Sequence, residues 1–319
     1  MYNITMSEGR HSQGPDELPA GQATEVADGV YAFIQPDGSW WLNNAGFVVG
    51  ASDVLSVDAC ATEARTRRYL SAIERVAGCR PSTLVNTHHH GDHTNGNCLF
   101  SEATIIGHRL CRELVLENGM ARPEGLWDPV DWGDLEMAPP IVTFEDRLDV
   151  WVDDLRVELH HFNRAAHTNN DVVAWLPDRG VMFAGDLVFN GSTPFVLMGS
   201  VAGALEALDR LEEFEPELVV PGHGEVCRMP DVDIVGEYLR FVQVTAEKAR
   251  SAGLSPLEAA REVDLGQFAD LLDSERLVGN LHRAYAELEG VRPGDPIDLV
   301  QAFADMVAFN GGRRLRCRA

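Results

Sequence analysis

Thr87-His88-His89-His90-Gly91-Asp92-His93, directly after the apolar run Leu84–Val85, is the most telling stretch of this chain. It places four imidazoles and one carboxylate within six residues, at the exit of an expected strand. In extended backbone, side chains two apart share a face, so His88 and His90 converge while His89 points away. Imidazole nitrogens and carboxylate oxygens are the donors that Zn²⁺ takes in catalytic sites. Separate histidines downstream complete such a set.

On both sides of this loop the chain alternates short apolar runs with turns. Val30–Ile34, Ala45–Val49, Val54–Val57, Leu84–Asn86 and Thr104–Ile106 read as strands, with Pro36-Asp37-Gly38 as a hairpin turn between the first two. Thr62–Ala77 reads as a helix stopped by Gly78. A second series of strands follows at Ile141–Phe144, Leu155–Leu159, Val172–Leu176 and Val181–Ala184. Next come a helix over Val201–Leu211, capped by Ser200, and a strand Leu218–Val220. After Pro230 the pattern is helical, with a capping box at Ser255-Pro256-Leu257-Glu258. Strands mixed with helices, then helices only, predict an α/β core with a helical C-terminal extension. The expected division is a flexible segment 1–20, a catalytic domain 21–228 and a helical extension 229–319 packing on it.

Composition narrows the function classes. The 319 residues are 45% hydrophobic and 24% charged, as in a globular chain. Acids outnumber bases 50 to 26, a net charge of −24 that repels phosphate backbones and argues against a nucleic-acid binder. No apolar run reaches the roughly 18 residues of a membrane span. The first twenty residues show no basic start and no apolar stretch, so the expected location is the cytoplasm. Six cysteines without a CxxC pair read as free thiols.

The segment His88-x-His90-x-Asp92-His93 matches the HxHxDH motif of the metallo-β-lactamase superfamily, and the chain resembles that family from about Glu25 to Val226. The motifs around His167, Asp186 and His223 follow in the family's order, and Asp58 sits where it keeps a buried carboxylate under the metal loop. The resemblance implies an αββα sandwich with two zinc ions at the sheet edge. His88, His90 and His167 would hold the first ion, Asp92, His93 and His223 the second, and Asp186 would bridge them. Paired cations lower the pKa of a shared water toward neutrality, so no Ser or Cys nucleophile is needed. Asp92 has two readings, ligand or proton shuttle, and with Asp186 is the candidate catalytic carboxylate. Asp186 at the bridging position is a poor match to the Cys-ligand secreted β-lactamases, and −24 is a poor match to processing ribonucleases. A small-molecule ester, thioester or lactone hydrolase remains.

Three stretches would frame the substrate: the hairpin carrying Trp40 and Trp41, the long loop Met120 to Pro140 with Trp127 and Trp132, and Asn190 to Gly199 with Phe195 and Met198. QPDGSWWLNNAGFVVG, VDACATEARTR, THHHGDHTNGN and RAAHTNND also resemble a narrower group, the cyclase–thioesterases that close the second ring of aromatic polyketides. That resemblance implies a polyketide substrate, free or carried by an acyl carrier protein. Carrier proteins are acidic, so docking would need a basic patch. Arg65, Arg67, Arg68 and Arg80, or the tail Arg313, Arg314, Arg316 and Arg318, are the candidates. The alternatives are a lactonase, a β-lactam hydrolase, or a metal-binding module without turnover. Asp171, beginning a strand after His167, is a candidate acceptor for a metal-bound imidazole. His160, His161, His108 and His282 read as structural. The apolar stripes of the C-terminal helices fit plain packing, a cover over the pocket or a homo-oligomer interface.

Overall fold

Residues 21–120 and 125–319 are described by the computed structural model; the expected flexible segment 1–20 lies outside them. The first sheet runs in chain order: β1 (Gln22–Ala27), β2 (Val30–Ile34), β3 (Ala45–Val49), β4 (Val54–Val57), β5 (Thr83–Val85), β6 (Thr104–His108) and β7 (Val142–Phe144). Strands β1 to β4 pair antiparallel, with the ten residues 35–44 between β2 and β3, and β4 to β7 pair parallel. Parallel neighbours need crossovers. Helix α1 (Glu63–Ala77) makes the first, the short α2 (Gly91–Thr94) stands in the second, and α3 (Arg109–Asn118) follows β6. The second sheet holds β8 (Arg147–Val152), β9 (Leu155–His161), β10 (Val172–Leu176), β11 (Val181–Asn190) and β12 (Leu218–Gly224), in the order β12-β11-β10-β9-β8. Only β11 and β12 are parallel there, joined over α4 (Val201–Glu212). Helices α5 (Met229–Ser251), α6 (Pro256–Glu262), α7 (Arg276–Leu288) and α8 (Leu299–Phe309) complete the chain.

Alternating side chains sort into three apolar clusters. Val48, Leu55 and Val85 of the first sheet meet Val157, Leu159 and Phe183 of the second between the sheets. The outer face of the first sheet packs Phe47 and Leu84 against Tyr69, Leu70 and Ile73 of α1. The outer face of the second packs Trp175, Met182 and Val219 against α4, α5 and α7. The result is the expected αββα sandwich. Helix α1 starts where Thr62 accepts from the Arg65 N–H and stops at Gly78, whose φ of 74° is open to glycine without strain. Among the described residues no helix is long and apolar enough to cross a membrane.

Strands β1 and β8 were not expected, nor were α2 and α3. Both strands are sheet edges, and β8 alternates exposed with half-buried residues, so neither carries an apolar run. Edge strands commonly carry polar side chains, which hides them from a hydrophobicity pattern. The segment His88–His93 follows the carboxyl end of β5, Asp58 follows that of β4, and Asp186 and His223 lie on β11 and β12 of the facing sheet.

Candidate metal centre

Two groups of side chains converge at this edge. His88, His90, His167 and Asp186 form one, and Asp92, His93, Asp186 and His223 the other, with one donor atom of each within 4.8 Å of the rest in its group. Asp186 belongs to both. Its Oδ2 lies 3.3 Å from His167 Nε2, 3.4 Å from His223 Nε2 and 3.9 Å from His88 Nε2, while its Oδ1 lies 3.0 Å from His93 Nε2. Asp92 Oδ2 stands 3.3 Å from His223 Nε2 and 3.7 Å from His93 Nε2. Donors about 2.0–2.2 Å from a shared cation stand 3 to 4 Å from one another, so these spacings suit tetrahedral sites.

The far nitrogen of each of several rings is fixed by an acceptor. His93 Nδ1 donates to Asp58 Oδ2 at 2.8 Å, His223 Nδ1 to the Gly38 carbonyl at 3.1 Å, and His167 Nδ1 to the Phe195 carbonyl. Each bond sets the tautomer that leaves a lone pair on Nε2, aimed at the centre. His90 turns its Nδ1 inward instead, 2.8 Å from His167 Nε2. Asp58 also accepts from the Thr87 N–H at 2.8 Å and Thr87 Oγ1 at 2.7 Å, tying β4 to the start of the metal loop. Its φ of 62° lies in the left-handed region, which Asp tolerates better than most residues. Gly222 is required for close approach: a Cβ there would stand 1.9 Å from Asp186 Oδ1.

The donor set fits cations. His88 Nε2, His93 Nε2 and Asp186 Oδ1 are buried and meet no hydrogen bond of good geometry. Leaving such atoms unsatisfied is costly, and a metal ion in each group would satisfy them. Burial draws the His88 and His90 imidazoles well below their usual range, which favours the neutral, metal-ligating form. Burial acts the same way on His93, but the carboxylates of Asp186, Asp58 and Asp92 outweigh it and raise that ring well above its usual range. Burial would raise Asp186, yet His223, His93 and His167 hold it well below the normal carboxylate range.

A cavity of about 290 Å³ opens over both groups. Trp40, Trp41, Trp127, Phe195 and Met198 line it, joined by Phe189 and by Phe303 of α8. Trp132 does not line the cavity; it stands edge-on behind Trp41, ring centroids 4.8 Å apart. Asp171 touches no imidazole through its carboxylate, a correction to the expectation. Its two oxygens are taken by Thr168 N and Oγ1 at 2.8 and 2.6 Å, closing the turn after His167 before a ring nitrogen is in reach. His89 sits outside both groups, its Nδ1 3.0 Å from Asn170 Nδ2. His161 and His108 belong to neither group and lie against each other, ring centroids 4.0 Å apart, and His282 of α7 pairs with Asp305 of α8.

Helix α7 carries residues that were not singled out from the sequence. Arg276, Asn280 and Arg283 are nearly fully buried and recur at spacings of four and three, beside the apolar stripe Leu277–Leu281–Ala284. That helical spacing was the available signal. Arg276 donates to the Thr193 carbonyl at 3.0 Å, Asn280 to the Pro194 carbonyl at 2.7 Å, and Arg283 to the Leu197 carbonyl at 3.0 Å. Asn280 Oδ1 also accepts from the Val196 N–H at 2.9 Å. The four bonds hold residues 193–197, whose Phe195 carbonyl orients His167. The Arg276 guanidinium lies 4.2 Å from the Trp40 ring centroid and 5.3 Å from that of Phe189, and Phe189 stacks on His223 at 5.1 Å. Trp40 is further pinned by Asp273, which accepts its N–H, and by Glu275, which accepts its indole N–H.

The chain is similar to several known proteins. A hydroxyacylglutathione hydrolase of Erythrobacter litoralis is 26% identical over 194 residues, 58% of this chain and 68% of that protein. A metallo-beta-lactamase type 2 of Bacillus cereus is 27% identical over 193 residues, 57% of this chain and 67% of that protein. A linear primary-alkylsulfatase of a Pseudomonas species is 22% identical, over 82% of this chain and 59% of its own length. Among solved structures, a metallo-beta-lactamase from Pontibacter korlensis superposes with a TM-score of 0.58 at 18% identity, covering 69% of this chain and 99% of its own. The family model of the metallo-beta-lactamase superfamily matches residues 38–223, from the hairpin to the last histidine. The chain belongs to the metallo-beta-lactamase superfamily.

Proposed function

We propose that the protein is a dinuclear zinc hydrolase of acyl thioesters, and more narrowly a cyclase–thioesterase acting on an aromatic polyketide chain, free or bound to a carrier protein. The observation that carries this reading is the pair of ligand groups sharing Asp186 beneath a cavity walled by Trp40, Trp41, Trp127, Phe189 and Phe195. His88, His90 and His167 would hold one ion, Asp92, His93 and His223 the other, with Asp186 facing both. Bound zinc supplies Lewis acidity and brings the pKa of a water toward neutrality. The aromatic walls bind a flat acyl group by its faces and keep bulk water from the reacting carbonyl.

In hydrolysis the water oxygen adds to the carbonyl carbon, the C–S bond breaks, and the departing thiolate takes up a proton. Asp92 passes that proton: both it and Asp186 border the cavity, but its side chain is 13% exposed against 4% for Asp186. The catalytic domain of this reading is 21–228, and the extension 229–319 closes the cavity from one side through Arg276 of α7 and Leu299 and Phe303 of α8. The relative named for acylglutathione hydrolysis supports thioester cleavage.

The second reading, a lactone or β-lactam hydrolase, draws support from the relative named a metallo-beta-lactamase. Purified, zinc-loaded protein assayed on N-acetylcysteamine thioesters, lactones and nitrocefin separates the two. Thioester turnover that chelation, His90→Ala and Asp186→Ala each abolish is the expected result. Turnover of lactones or nitrocefin with none of thioesters reverses the ranking.

A further inference from the structure

A second cavity, of about 600 Å³, is bordered by Arg65 and Arg68 of α1 and by Arg316 and Arg318 near the C-terminus. Sequence separates these arginines by some 250 positions; the fold gathers them around one space. They are unequally satisfied. Arg316 pairs with Asp37 at 2.5 Å, while Arg318 comes no nearer to that carboxylate than 4.0 Å. The half-buried Arg65 donates only to neutral acceptors, Gln35 Oε1 at 3.0 Å and the Arg318 carbonyl at 2.5 Å. Arg68 is exposed and makes no hydrogen bond or ion pair among the described residues. Asp128, Asp131 and Ala319 also border the cavity; the ion pairs that Arg316 and Arg318 form among the described residues go to Asp37 instead. Burial lowers the Arg65 pKa, and the Arg68 charge adds to the effect.

Arg65 and Arg68 have no carboxylate partner, and their guanidinium charges repel one another across the cavity. An anion between them relieves the repulsion. Several planar forks around one space suit a tetrahedral anion with three terminal oxygens better than a carboxylate with two. We propose that this cavity is a binding site for a phosphate ester group, held by Arg65, Arg68 and Arg318.

Its wall is shared with the metal centre. Leu315 N–H donates to the Leu126 carbonyl at 2.8 Å and Asp128 N–H to the Leu315 carbonyl at 2.9 Å. Between these bonds Trp127 faces the aromatic cavity, while Asp128 faces the arginines. Arg65 and Arg316 grip Gln35 and Asp37 in the hairpin whose Gly38 carbonyl orients His223. The phosphate could belong to the thiol half of a substrate or to a separate ligand; the chemistry of the site is the same. The inference does not depend on the reaction proposed above.

Calorimetric titration of zinc-loaded protein with inorganic phosphate tests it. Saturable binding is expected, weakened about tenfold or more in Arg68→Ala/Arg318→Ala, the loss of at least one charge-assisted hydrogen bond. Both substitutions leave the Arg318 carbonyl in place, and an unchanged melting temperature checks the fold. Overturning results are no saturable binding, equal affinity in the double variant, binding lost only with His90→Ala (phosphate at the metals), or succinate bound as tightly as phosphate. The source follows from two thioesters that differ only in a phosphate on the thiol half. A KM lower for the phosphorylated one, with the advantage lost in the double variant, assigns the phosphate to the substrate. Equal KM values beside Arg-dependent phosphate binding assign it to a separate ligand. If neither thioester turns over, the hydrolase reading fails while the phosphate titration still decides this site.

Discussion

The loop His88–His93 and helix α7 serve the same centre by opposite routes. The loop brings four of the candidate ligands within six residues, held from below by a single carboxylate, Asp58. Helix α7 contributes no ligand. Its Arg276, Asn280 and Arg283 instead bond to backbone carbonyls of residues 193–197 and so fix the acceptor that turns His167. Ligand identity is therefore concentrated in one local motif, while ligand orientation depends on an element some 190 residues away from that motif. A centre that must hold donors to within a few tenths of an ångström needs both.

The sharpest break in this comparison comes from the loop side. His90→Ala is expected to lower turnover by at least about a thousandfold and to reduce zinc content in elemental analysis, because neutral Ala offers no donor. Retained activity with undiminished zinc would remove the loop from the mechanism. Asp58→Asn keeps the shape but loses the charge that supports His93, so zinc affinity is expected to fall about 10- to 100-fold by competition with a chelator. An unchanged affinity would mean that the loop needs no support from β4.

On the helix side, Asn280→Ala leaves the Val196 N–H and the Pro194 carbonyl without their buried partner. A stability loss of about 1–3 kcal/mol is expected in denaturant unfolding, with kcat falling more than zinc content. Should kcat stay level, α7 acts on stability alone and the comparison loses one arm. Arg67→Ala is the smallest change: Arg67 pairs with Glu63 on the exposed face of α1 at 2.8 Å, and removal is expected to cost about 0.5 kcal/mol or less. A larger loss, or any loss of turnover, would show that the surface of α1 matters to the site.

Much of the fold was legible because its signals are local. Buried strands such as β3 and β4 announced themselves as short apolar runs, and α1 by Thr62 at one end and Gly78 at the other. Edge strands β1 and β8 gave no such run, since one face and one edge of each meet solvent. Of the site, the histidines and aspartates were legible, as rare donor types in a tight motif. Trp132 and Asp171 were assigned by proximity in sequence, and packing sent them elsewhere: one behind Trp41, the other onto Thr168. Proximity along the chain says little about which way a side chain turns once a loop folds back.

The sequence by itself determined the main strand and helix runs and the crowding of metal-donor side chains at His88–His93, because periodicity and ligand chemistry are properties of neighbouring residues, while the resemblance of its motifs implied the layer order and the candidate donors. Only the tertiary structure decided that α7 orients His167 and that Arg65 and Arg68 meet Arg316 and Arg318 around one cavity. Those two facts are distances between residues far apart in the chain, and such distances exist only once the two sheets and the C-terminal helices have packed.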